Sequence, residues 1–293
     1  MTPRPDILCI GSVLWDIIGR TDLPMIAGND KPGRITRLPG GVVLNIAMTL
    51  VAQGLRPCLL SVVGDDAAGT ALLVECGKMG LGVEHVLVDH DLPTDQYMAI
   101  ESEGRLLAAI ADAHSLEAAG ARILAPLSDG RLGTPDAPWR GAIALDGNLT
   151  VELLSEIAQS AVFAAADLRL APASPGKAVR LRPFLGHPRA TFYVNAEEAG
   201  LIAGVATVDA RSGADALLAA GAARALVTDG ANAAVDAKPE RLLALTPPRV
   251  TARRVTGAGD TFMAAHIAAE TRGAEARAAL SHALESAAAY VAG

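Results

Sequence analysis

GGVVLNIAMTLVAQGLRPCLLSVVGDDAAGTALLVECGKMG, residues 40–80, alternates between helical and strand-like patterns. NIAMTLVAQG predicts a helix closed by Gly54, PCLLSVVG predicts a buried strand, and DAAGTALLVECGKMG predicts a second helix. Strands that alternate with helices build a mostly parallel sheet with helices on both faces. The stretch therefore predicts an α/β protein.

The same alternation continues along the rest of the chain. The further predicted strands are DILCIG, GAIALDG, ATFYVN and RALVTDG, and the further predicted helices are TVELLSEIAQSAVFAAA, AEEAGLIAG and the Ala-rich C-terminal stretch. In such sheets ligands bind beyond the carboxyl ends of the strands. We therefore expect the functional residues at those ends.

Two segments break the alternation, at about residues 13–39 and 94–112. The second reads as a hairpin with Glu103 and Gly104 at its tip. We expect both segments to form one small β-sheet that projects from the core as a lid and keeps water from a reactive group. A plain surface sheet and a homodimer interface remain compatible with the same pattern.

Composition limits the classes of function. The 293 residues are 51% hydrophobic, and the N-terminal apolar run is too short for a membrane span and lacks the flanks of a signal peptide. These features predict a cytoplasmic protein with no membrane partner. A net charge of -7 with 3% aromatic residues argues against nucleic acid, which needs a basic surface to neutralise its phosphates.

The cysteines and histidines give no metal signature in the sequence. Cys9, Cys58 and Cys76 are odd in number and widely spaced, which argues against a disulfide framework or a zinc site and predicts buried thiols. The six histidines are scattered singly, which argues against a histidine-ligated metal.

Near the C-terminus, RRVTGAGDTFMAAHI (residues 253–267) places a glycine-rich turn before a run of helix formers. If a helix begins at Asp260, its free N–H groups carry partial positive charge and form an anion site. Such a site suits a phosphoryl group in transfer, and the carboxylate of Asp260 could accept the proton of an attacking hydroxyl. Alternatively, Asp260 is only the N-cap of the helix.

The two glycine-rich turns together carry a family resemblance. Gly-Gly-x-x-x-Asn at residues 40–45 and Gly-Ala-Gly-Asp at residues 257–260 resemble the paired signature of the PfkB, or ribokinase-like, sugar and nucleoside kinases, over nearly the whole chain. The resemblance implies a ribokinase-like three-layer α/β/α fold in a single domain, residues 1–293, with a β-sheet lid. It also implies magnesium-dependent transfer of a phosphoryl group from ATP to a small nucleoside or sugar.

The resemblance also implies roles for individual residues. Asp260 matches the catalytic base of the family, and the amides of Gly257, Ala258 and Gly259 match its anion hole for the γ-phosphate. The residues that match positions holding the substrate hydroxyls are Asp16, Gly40, Gly41 and Asn45. Alternatively, Asp16 is a solvated loop acid and the paired glycines only form a turn.

The nucleotide side of the family pattern is also present. Asn195 and Glu198 match the family's Asn-x-x-Glu, which places magnesium and phosphate through water, and Thr228 to Gly230 match the start of its nucleotide-binding loop. As an alternative, Asn195 and Glu198 cap a helix and complement its dipole.

Within the family, several stretches are most similar to pseudouridine kinases. They are NDKPGRITRLPGGVVLNIA, AIADAH, ALDGNLT and APASPGKAVRL. Asp112, Asn148 and Lys177 lie in these stretches, so the resemblance implies that they shape the substrate pocket. A helix start near Lys177 and a strand end at Asp112 are the alternatives.

Three residues depart from the family pattern. Arg254 stands where the family has Asp or Asn at a position linked with a monovalent cation, which argues against potassium activation. Ala233 and Ala265 replace glycines in the nucleotide loop and after the catalytic aspartate.

Other functions remain open at this point. A ribokinase- or fructokinase-type sugar kinase, or another nucleoside kinase, fits the same motifs. A dinucleotide-dependent oxidoreductase fits less well, because Phe262 stands where the third glycine belongs and the motif is far from the first strand. The three departures favour a non-catalytic ligand-binding relative, whereas the retained Asp260 argues against one.

Overall fold

Short strands that are apolar on both faces form the centre of the protein, in a computed structural model that describes residues 4–293. All four residues of β1 (Ile7–Ile10) are buried, and successive side chains pack into two different apolar clusters. A strand with side chains alternating between two buried faces requires a layer of helices on each side.

The elements have the following bounds. The other strands are β2 (Leu14–Thr21), β3 (Arg34–Gly40), β4 (Pro57–Leu60), β5 (Val62–Gly64), β6 (Leu87–Asp89), β7 (Gln96–Ser102), β8 (Arg105–Asp112), β9 (Ala142–Asp146), β10 (Asp167–Ala171), β11 (Ala190–Asn195), β12 (Arg224–Thr228), β13 (Ala234–Lys238) and β14 (Arg241–Leu245). The helices are α1 (Val42–Ala52), α2 (Ala67–Lys78), α3 (His114–Ala119), α4 (Val151–Gln159), α5 (Pro175–Ala178), α6 (Ala196–Ala203), α7 (Ala210–Ala219), α8 (Ala258–Thr271) and α9 (Ala276–Ala292), with 3-10 turns at Gly120–Leu127 and Val179–Phe184.

The large sheet has eight strands in the order β14-β13-β12-β11-β10-β9-β1-β4. The six strands from β12 to β4 are parallel, and β13 and β14 continue the sheet antiparallel. Helices α1, α2, α8 and α9 cover one face, while α3 to α7 and the 3-10 turns cover the other. The predicted three-layer α/β/α architecture is confirmed.

A separate four-stranded sheet has the order β3-β2-β7-β8. It contains the two segments that break the alternation, and β7 and β8 form the predicted hairpin, with positive φ at Glu103 (51°) and Gly104 (74°). The prediction that both segments form one small β-sheet is confirmed. Its action as a lid remains a prediction.

Two predicted elements were wrong in their extent. PCLLSVVG is not one strand, because the chain turns away at Ser61, whose hydroxyl donates to the Gly11 carbonyl at 2.6 Å, and β5 pairs with β6 in a sheet of its own. TVELLSEIAQSAVFAAA is not one helix, because Ser160 is extended (ψ 133°) and ends α4, so that Phe163 can enter the core from a turn.

The three cysteine thiols are free and buried, as predicted. Within residues 4–293, no helix combines the length and the apolar content that crossing a bilayer requires.

Candidate active site

The Gly-Ala-Gly-Asp turn opens helix α8. Gly257 is its N-cap in the left-handed region (φ 87°), and a Cβ there would lie 2.5 Å from the Tyr290 hydroxyl. That hydroxyl donates to the Thr256 carbonyl at 2.9 Å and holds the turn against α9. Gly257 is therefore required by the fold itself.

The backbone amides of this turn differ in whether they already donate a hydrogen bond within the protein. The Ala258 N–H donates to the Val255 carbonyl at 3.0 Å, so an anion has to compete for it, which the sequence pattern does not reveal. Gly259 is exposed and a Cβ there would meet no atom within 4 Å. The Gly259 and Asp260 amides lie in the first turn, where a helix offers no internal acceptor. They are the amides best placed for an anion.

A hydrogen bond connects the two glycine-rich motifs. The Asn45 side-chain amide donates to the Asp260 carboxylate (Nδ2 to Oδ2) at 3.1 Å. Gly41 caps α1 at φ 104°, where a Cβ would collide with the Ser12 carbonyl, and this turn sets the start of the helix that carries Asn45. Two motifs more than 200 positions apart therefore meet at one carboxylate.

The surroundings of Asp260 make its carboxyl group unusually basic. Burial raises the pKa of Asp260 to about 7; the hydrogen bond from Asn45 lowers it, and the charges of Asp146 and Glu198 raise it. A carboxylate with a pKa near 7 accepts a proton far more readily than a solvated one.

Asp16 lies on the small sheet and faces the Gly40 turn. It is partly buried, and its carboxylate lies so close to the Gly40 α-carbon that any side chain at position 40 would collide with it. Burial raises the pKa of Asp16 to about 6. Asp16 is therefore not a solvated loop acid, and the glycine at position 40 is needed for its approach.

Asp146, which the sequence analysis did not select, connects β9 to Ser12 and to the start of α1 through hydrogen bonds. It is fully buried at the end of β9 and accepts hydrogen bonds from the Ser12 amide (2.9 Å), the Ser12 hydroxyl (2.8 Å), the Val43 amide (3.1 Å) and the Asn148 amide (2.8 Å). Its position at the carboxyl end of a central strand is the signal that could have identified it.

The network extends to two residues from the pseudouridine-kinase-like stretches. The Asn148 side-chain amide (Nδ2) donates to the Ser12 hydroxyl at 2.9 Å, and the Lys177 ammonium donates to the Asn148 side-chain oxygen (Oδ1) at 2.6 Å. Burial lowers the pKa of Lys177. Both residues are thus joined, through Ser12, to the end of α1 that carries the Gly-Gly turn.

Asp112 is placed differently. It ends β8, is exposed, and its carboxylate contacts the His114 ring nitrogen at 2.8 Å. Within residues 4–293, no hydrogen bond or ion pair joins Asp112 to Asp16 or Asp260.

Asn195 and Glu198 form a capping box at the start of α6. The Glu198 amide donates to the Asn195 side-chain oxygen at 2.9 Å, and the Asn195 amide donates to the Glu198 carboxylate at 2.8 Å. Asn195 and Glu198 therefore do cap the helix, as the alternative interpretation expected. The cap uses only the Oε2 atom of Glu198, so the other carboxylate oxygen can bind a ligand. Burial raises the pKa of Glu198, and its charge acts on Asp260.

The charges of two acidic groups in this region, Asp146 and Glu198, act on a third, Asp260. Oxygen donors of this kind suit magnesium, which binds through one or two carboxylates and substrate phosphates. Asn195 and Thr228 are cross-strand partners at the carboxyl ends of β11 and β12, and the partly exposed loop with Gly230 (φ 55°) follows directly. These residues fit a magnesium nucleotide.

Arg254, the unexplained departure, has defined partners on α9. Its guanidinium stacks on the Tyr290 ring, 3.8 Å from the centroid, and its Nε donates to the Tyr290 carbonyl at 2.8 Å. The segment that leads into the catalytic turn is thus fastened to the last helix by a cation–π contact.

The chain is similar to known kinases along most of its length. A family model described as pfkB family carbohydrate kinase matches residues 4–292. The chain belongs to that family. A pseudouridine kinase of Escherichia coli is 30% identical over 207 residues, which span 70% of this chain and 63% of that kinase. The alignment therefore covers less than two thirds of the relative's length.

Solved structures share the fold. A carbohydrate kinase from Agrobacterium tumefaciens is 26% identical with a TM-score of 0.81, covering 96% of this chain and 89% of that one. Arabidopsis thaliana ribokinase, solved with ribose and ATP, is 19% identical with a TM-score of 0.77, covering 99% and 93%. The predicted ribokinase-like fold and family are confirmed.

Proposed function

We propose that this protein transfers the γ-phosphoryl group of ATP to a primary hydroxyl of a nucleoside. The observation that carries the proposal is the Asn45–Asp260 hydrogen bond, which joins both glycine-rich motifs at a carboxylate whose pKa is raised to about 7. A base with a pKa near the working pH suits the removal of a hydroxyl proton.

Asp260 accepts the proton of the substrate hydroxyl as the oxygen attacks the γ-phosphorus. The new O–P bond forms in line with the bond to the bridging oxygen of ADP, which breaks and leaves with the electron pair. The Gly259 and Asp260 amides face the charge of the transferring group, with Ala258 and Gly257 beside them. Asn45 holds the carboxylate in position.

On the nucleotide side, Asn195, Thr228 and Gly230 would hold ATP, and Glu198 would hold magnesium through water. Magnesium supplies positive charge against the phosphate oxygens when it is bound. Thr228 and Asn195 lie together in strand register, which supports a shared role.

We further propose pseudouridine as the substrate, converted to pseudouridine 5′-phosphate. The 30% identity to a pseudouridine kinase supports this choice. Asp16, Gly40, Gly41 and Asn45 would bind the sugar hydroxyls. Asp112 would contribute to the same pocket from the end of β8, where its carboxylate contacts the His114 ring.

The nucleobase needs an aromatic or apolar surface. Trp15 does not offer one, because it is only 5% exposed and the Arg37 guanidinium lies 4.0 Å above its ring centroid. Tyr97 is partly exposed and is the cross-strand partner of Asp16, on the same face of the small sheet. Tyr97 is therefore the stacking candidate.

An ADP-release assay with ATP and magnesium over pseudouridine, uridine, adenosine, ribose and fructose tests the proposal. We expect pseudouridine to have the highest kcat/KM. If no substrate gives magnesium-dependent turnover, the kinase proposal fails. If ribose or fructose exceeds every nucleoside, the sugar-kinase alternative replaces the nucleoside proposal, as the match to a carbohydrate kinase family would allow.

Tyr97 variants separate nucleoside from sugar kinases. Since stacking of a base on an aromatic ring contributes about 1–3 kcal/mol, Tyr97→Ala should raise KM for a nucleoside about tenfold or more. KM for ribose should stay unchanged, and Tyr97→Phe should keep the wild-type value. Equal losses for ribose and nucleoside would argue against stacking.

Potassium activation is not part of the proposal. Arg254 puts a positive charge three residues before the Gly-Ala-Gly-Asp turn, and its contacts with Tyr290 hold the guanidinium on α9. We expect the same turnover with sodium, potassium or tetramethylammonium as the monovalent salt.

The small sheet would act both as a lid and as a homodimer interface. Ile35 (79% exposed), Met98 (49%) and Ile110 (69%) point from the face opposite Asp16, according to the strand register. Sedimentation should show a dimer that Ile110→Glu dissociates and Val205→Glu, on an exposed site elsewhere, does not. A cytoplasmic location remains a prediction from the sequence.

A further inference from the structure

Three side chains of metal-binding type converge beside β4, the edge strand of the large sheet. The Cys58 sulfur, a Glu84 carboxylate oxygen and a His85 ring nitrogen lie within 4.8 Å of one another. Glu84 and His85 are adjacent in the sequence, whereas Cys58 lies 26 positions before Glu84, so only folding brings the cysteine to them. The cluster shares no residue with the candidate active site.

The backbone holds these side chains together. Gly82 pairs with the β4 backbone, its amide donating to the Pro57 carbonyl at 3.0 Å while its carbonyl accepts from the Leu59 amide at 2.8 Å. A Cβ on Gly82 would lie 3.3 Å from both the α- and β-carbons of Cys58, which is tighter than ordinary packing. Glycine therefore allows the segment before Glu84 to lie directly against the cysteine.

The next turn fixes the position of His85. The Val86 amide donates to the Val83 carbonyl at 3.1 Å, and the Leu87 amide donates to the Ser61 carbonyl at 2.9 Å. Both ends of the segment that carries Glu84 and His85 are thus tied to the sheet. Ligands on a fixed backbone lose little conformational entropy when they bind an ion.

An independent observation is the state of the histidine ring. Among residues 4–293, the Nδ1 atom of His85 is buried and has no hydrogen-bond partner. A buried polar atom without a partner is destabilising by about 1–3 kcal/mol, so its presence calls for an explanation such as a water or an ion. The free Cys58 thiol beside it is 1% exposed.

We propose that Cys58, Glu84 and His85 form a binding site for a divalent transition metal, with Zn²⁺ as the ion that fits best. Thiolate, imidazole and carboxylate are the three ligand types of zinc in proteins, at about 2.0–2.3 Å from the ion. Tetrahedral ligands at these lengths lie roughly 3.3–3.8 Å apart, so side-chain rotations suffice to close the cluster.

Binding forms a metal–sulfur bond and breaks the S–H bond of Cys58, and the proton leaves to water without any oxidation or reduction. Glu84 is exposed and, with His85, lines a cavity of about 700 Å³, which gives the ion a path and leaves the fourth position to water. Magnesium is a poor occupant, because it prefers oxygen donors.

The bound ion would fasten the segment of residues 82–86 to β4. Because a ligand that binds only the folded state stabilises it by mass action, the expected signature is a metal-dependent rise in thermal stability. Catalytic turnover is not expected to require it.

The test uses the full chain, with any purification tag removed and magnesium in excess to occupy oxygen-donor sites. Co²⁺ serves as a spectroscopic probe and Zn²⁺ as its competitor. We expect one Co²⁺ per chain with a thiolate charge-transfer absorption band, its displacement by an equivalent of Zn²⁺, and a rise in melting temperature with either ion.

Four variants locate the site. His85→Ala and Glu84→Gln change partly exposed or exposed residues and should weaken Co²⁺ binding at least tenfold, and Cys58→Ala should abolish the thiolate band. Cys76→Ala, another buried thiol outside the cluster, should leave the band and the affinity intact, as should Asp260→Asn. The proposal is overturned if wild-type chains bind no stoichiometric metal, or if His85→Ala and Glu84→Gln bind Co²⁺ as the wild type does.

Discussion

The two ends of helix α8 carry carboxyl groups whose pKa values are shifted in opposite directions. Asp260 lies in the first turn, where burial raises its pKa to about 7 despite the hydrogen bond from Asn45. Glu270 lies in the last turn, where burial alone would raise its pKa, but the charges of Arg169, His266 and Arg224 outweigh burial and lower it to about 2. The two groups differ in their neighbours more than in their burial.

The helix dipole cannot explain this pattern. The positive end of a helix favours a carboxylate in the first turn and the negative end disfavours one in the last turn. Both pKa shifts run the other way. The local surroundings therefore outweigh the dipole at both ends. At the Asp260 end the carboxyl group can exchange a proton near neutral pH, whereas at the Glu270 end, called the locked end below, the carboxylate stays charged.

The locked end is a cluster of buried charges. Glu270 accepts from Arg169 at 2.6 Å and from Arg224 at 2.8 Å, and Arg224 also binds Asp236, which is fully buried. The Tyr193 hydroxyl contacts the His266 ring at 2.9 Å within the same cluster. The result is an anchor that fixes the catalytic helix on the sheet.

The largest effect is expected from Asp260→Asn, which removes the base. General-base catalysis contributes about 10²–10⁴-fold, so kcat/KM in the ADP-release assay should fall about 10³-fold. Asp215→Asn, on the surface of α7, is the matched control. Retention of activity within about tenfold would show that Asp260 is not the base.

The same variant should be more stable than the wild type. The folded-state pKa of Asp260 lies above its ordinary value of 3.8, so the folded protein loses stability as pH rises from about 4 through 7. The full shift corresponds to about 4 kcal/mol, but Asp260 is partly exposed, so we expect a gain of about 1–2 kcal/mol at pH 8. Urea unfolding measures it.

Glu270→Gln should break the anchor and spare the chemistry. Removing one member of a buried ion pair is destabilising by about 3–5 kcal/mol; since Glu270 is partly exposed, we expect a loss of about 2–3 kcal/mol in the free energy of unfolding. Turnover per folded molecule should stay within about threefold. Glu275→Gln, exposed at the start of α9, is the control, and an equal loss of stability there would refute the anchor.

The anchor should also set the acid limit of the protein. Burial lowers the pKa of His266 to about 4, so stability falls as pH drops from 6.5 to 4, because only the unfolded chain takes up the proton. The lowered pKa of Glu270 adds a second loss, between pH 4.5 and 2. Unfolding should be followed in an Asp16→Asn/Asp260→Asn background, since the raised pKa values of both carboxyl groups contribute with the opposite sign.

The expected loss between pH 7 and 4 in that background is about 2 kcal/mol, below the 3 kcal/mol that the His266 shift alone implies. Adding His266→Gln should flatten this part of the curve. A curve that is unchanged by His266→Gln would show that other groups set the acid limit.

The smallest effect concerns the proton-exchanging end. Asn45→Ala removes the hydrogen bond that favours the charged form of Asp260, so the pKa of Asp260 should rise above 7. We expect kcat/KM to fall about tenfold at pH 7 and to recover partly at pH 9. The control is Thr49→Ala, one turn along α1, which should leave the pH profile unchanged. If the profile of Asn45→Ala is also unshifted, the Asn45 hydrogen bond does not control the pKa of Asp260.

Much of this molecule was predictable because local patterns and paired motifs are written in the sequence. The alternation of strands and helices predicted the layers, and the two glycine-rich turns predicted that Asn45 and Asp260 serve one site. The splitting of PCLLSVVG at Ser61 was not predictable, since both halves have the same apolar pattern and only tertiary pairing separates them.

Other features depend on contacts that no local pattern encodes. Asp146 ends a predicted strand, but the sequence does not show that its carboxylate accepts from the amides of Ser12 and Val43. Arg254 departs from the family pattern, and its partner, Tyr290, lies on another helix far along the chain. The basicity of Asp260 likewise arises from burial, which sequence does not give.

The hydrogen bond between Asn45 and Asp260 spans 215 positions of the chain. A ribosome adds about 5–20 residues per second, so roughly 10–40 s pass between the synthesis of the two residues. Throughout that time the nascent chain contains Asn45 but lacks the proposed base, Asp260. If Asp260 is the base, catalytic competence therefore requires synthesis of the chain as far as Asp260, long after the Gly-Gly turn and Asn45 have been made.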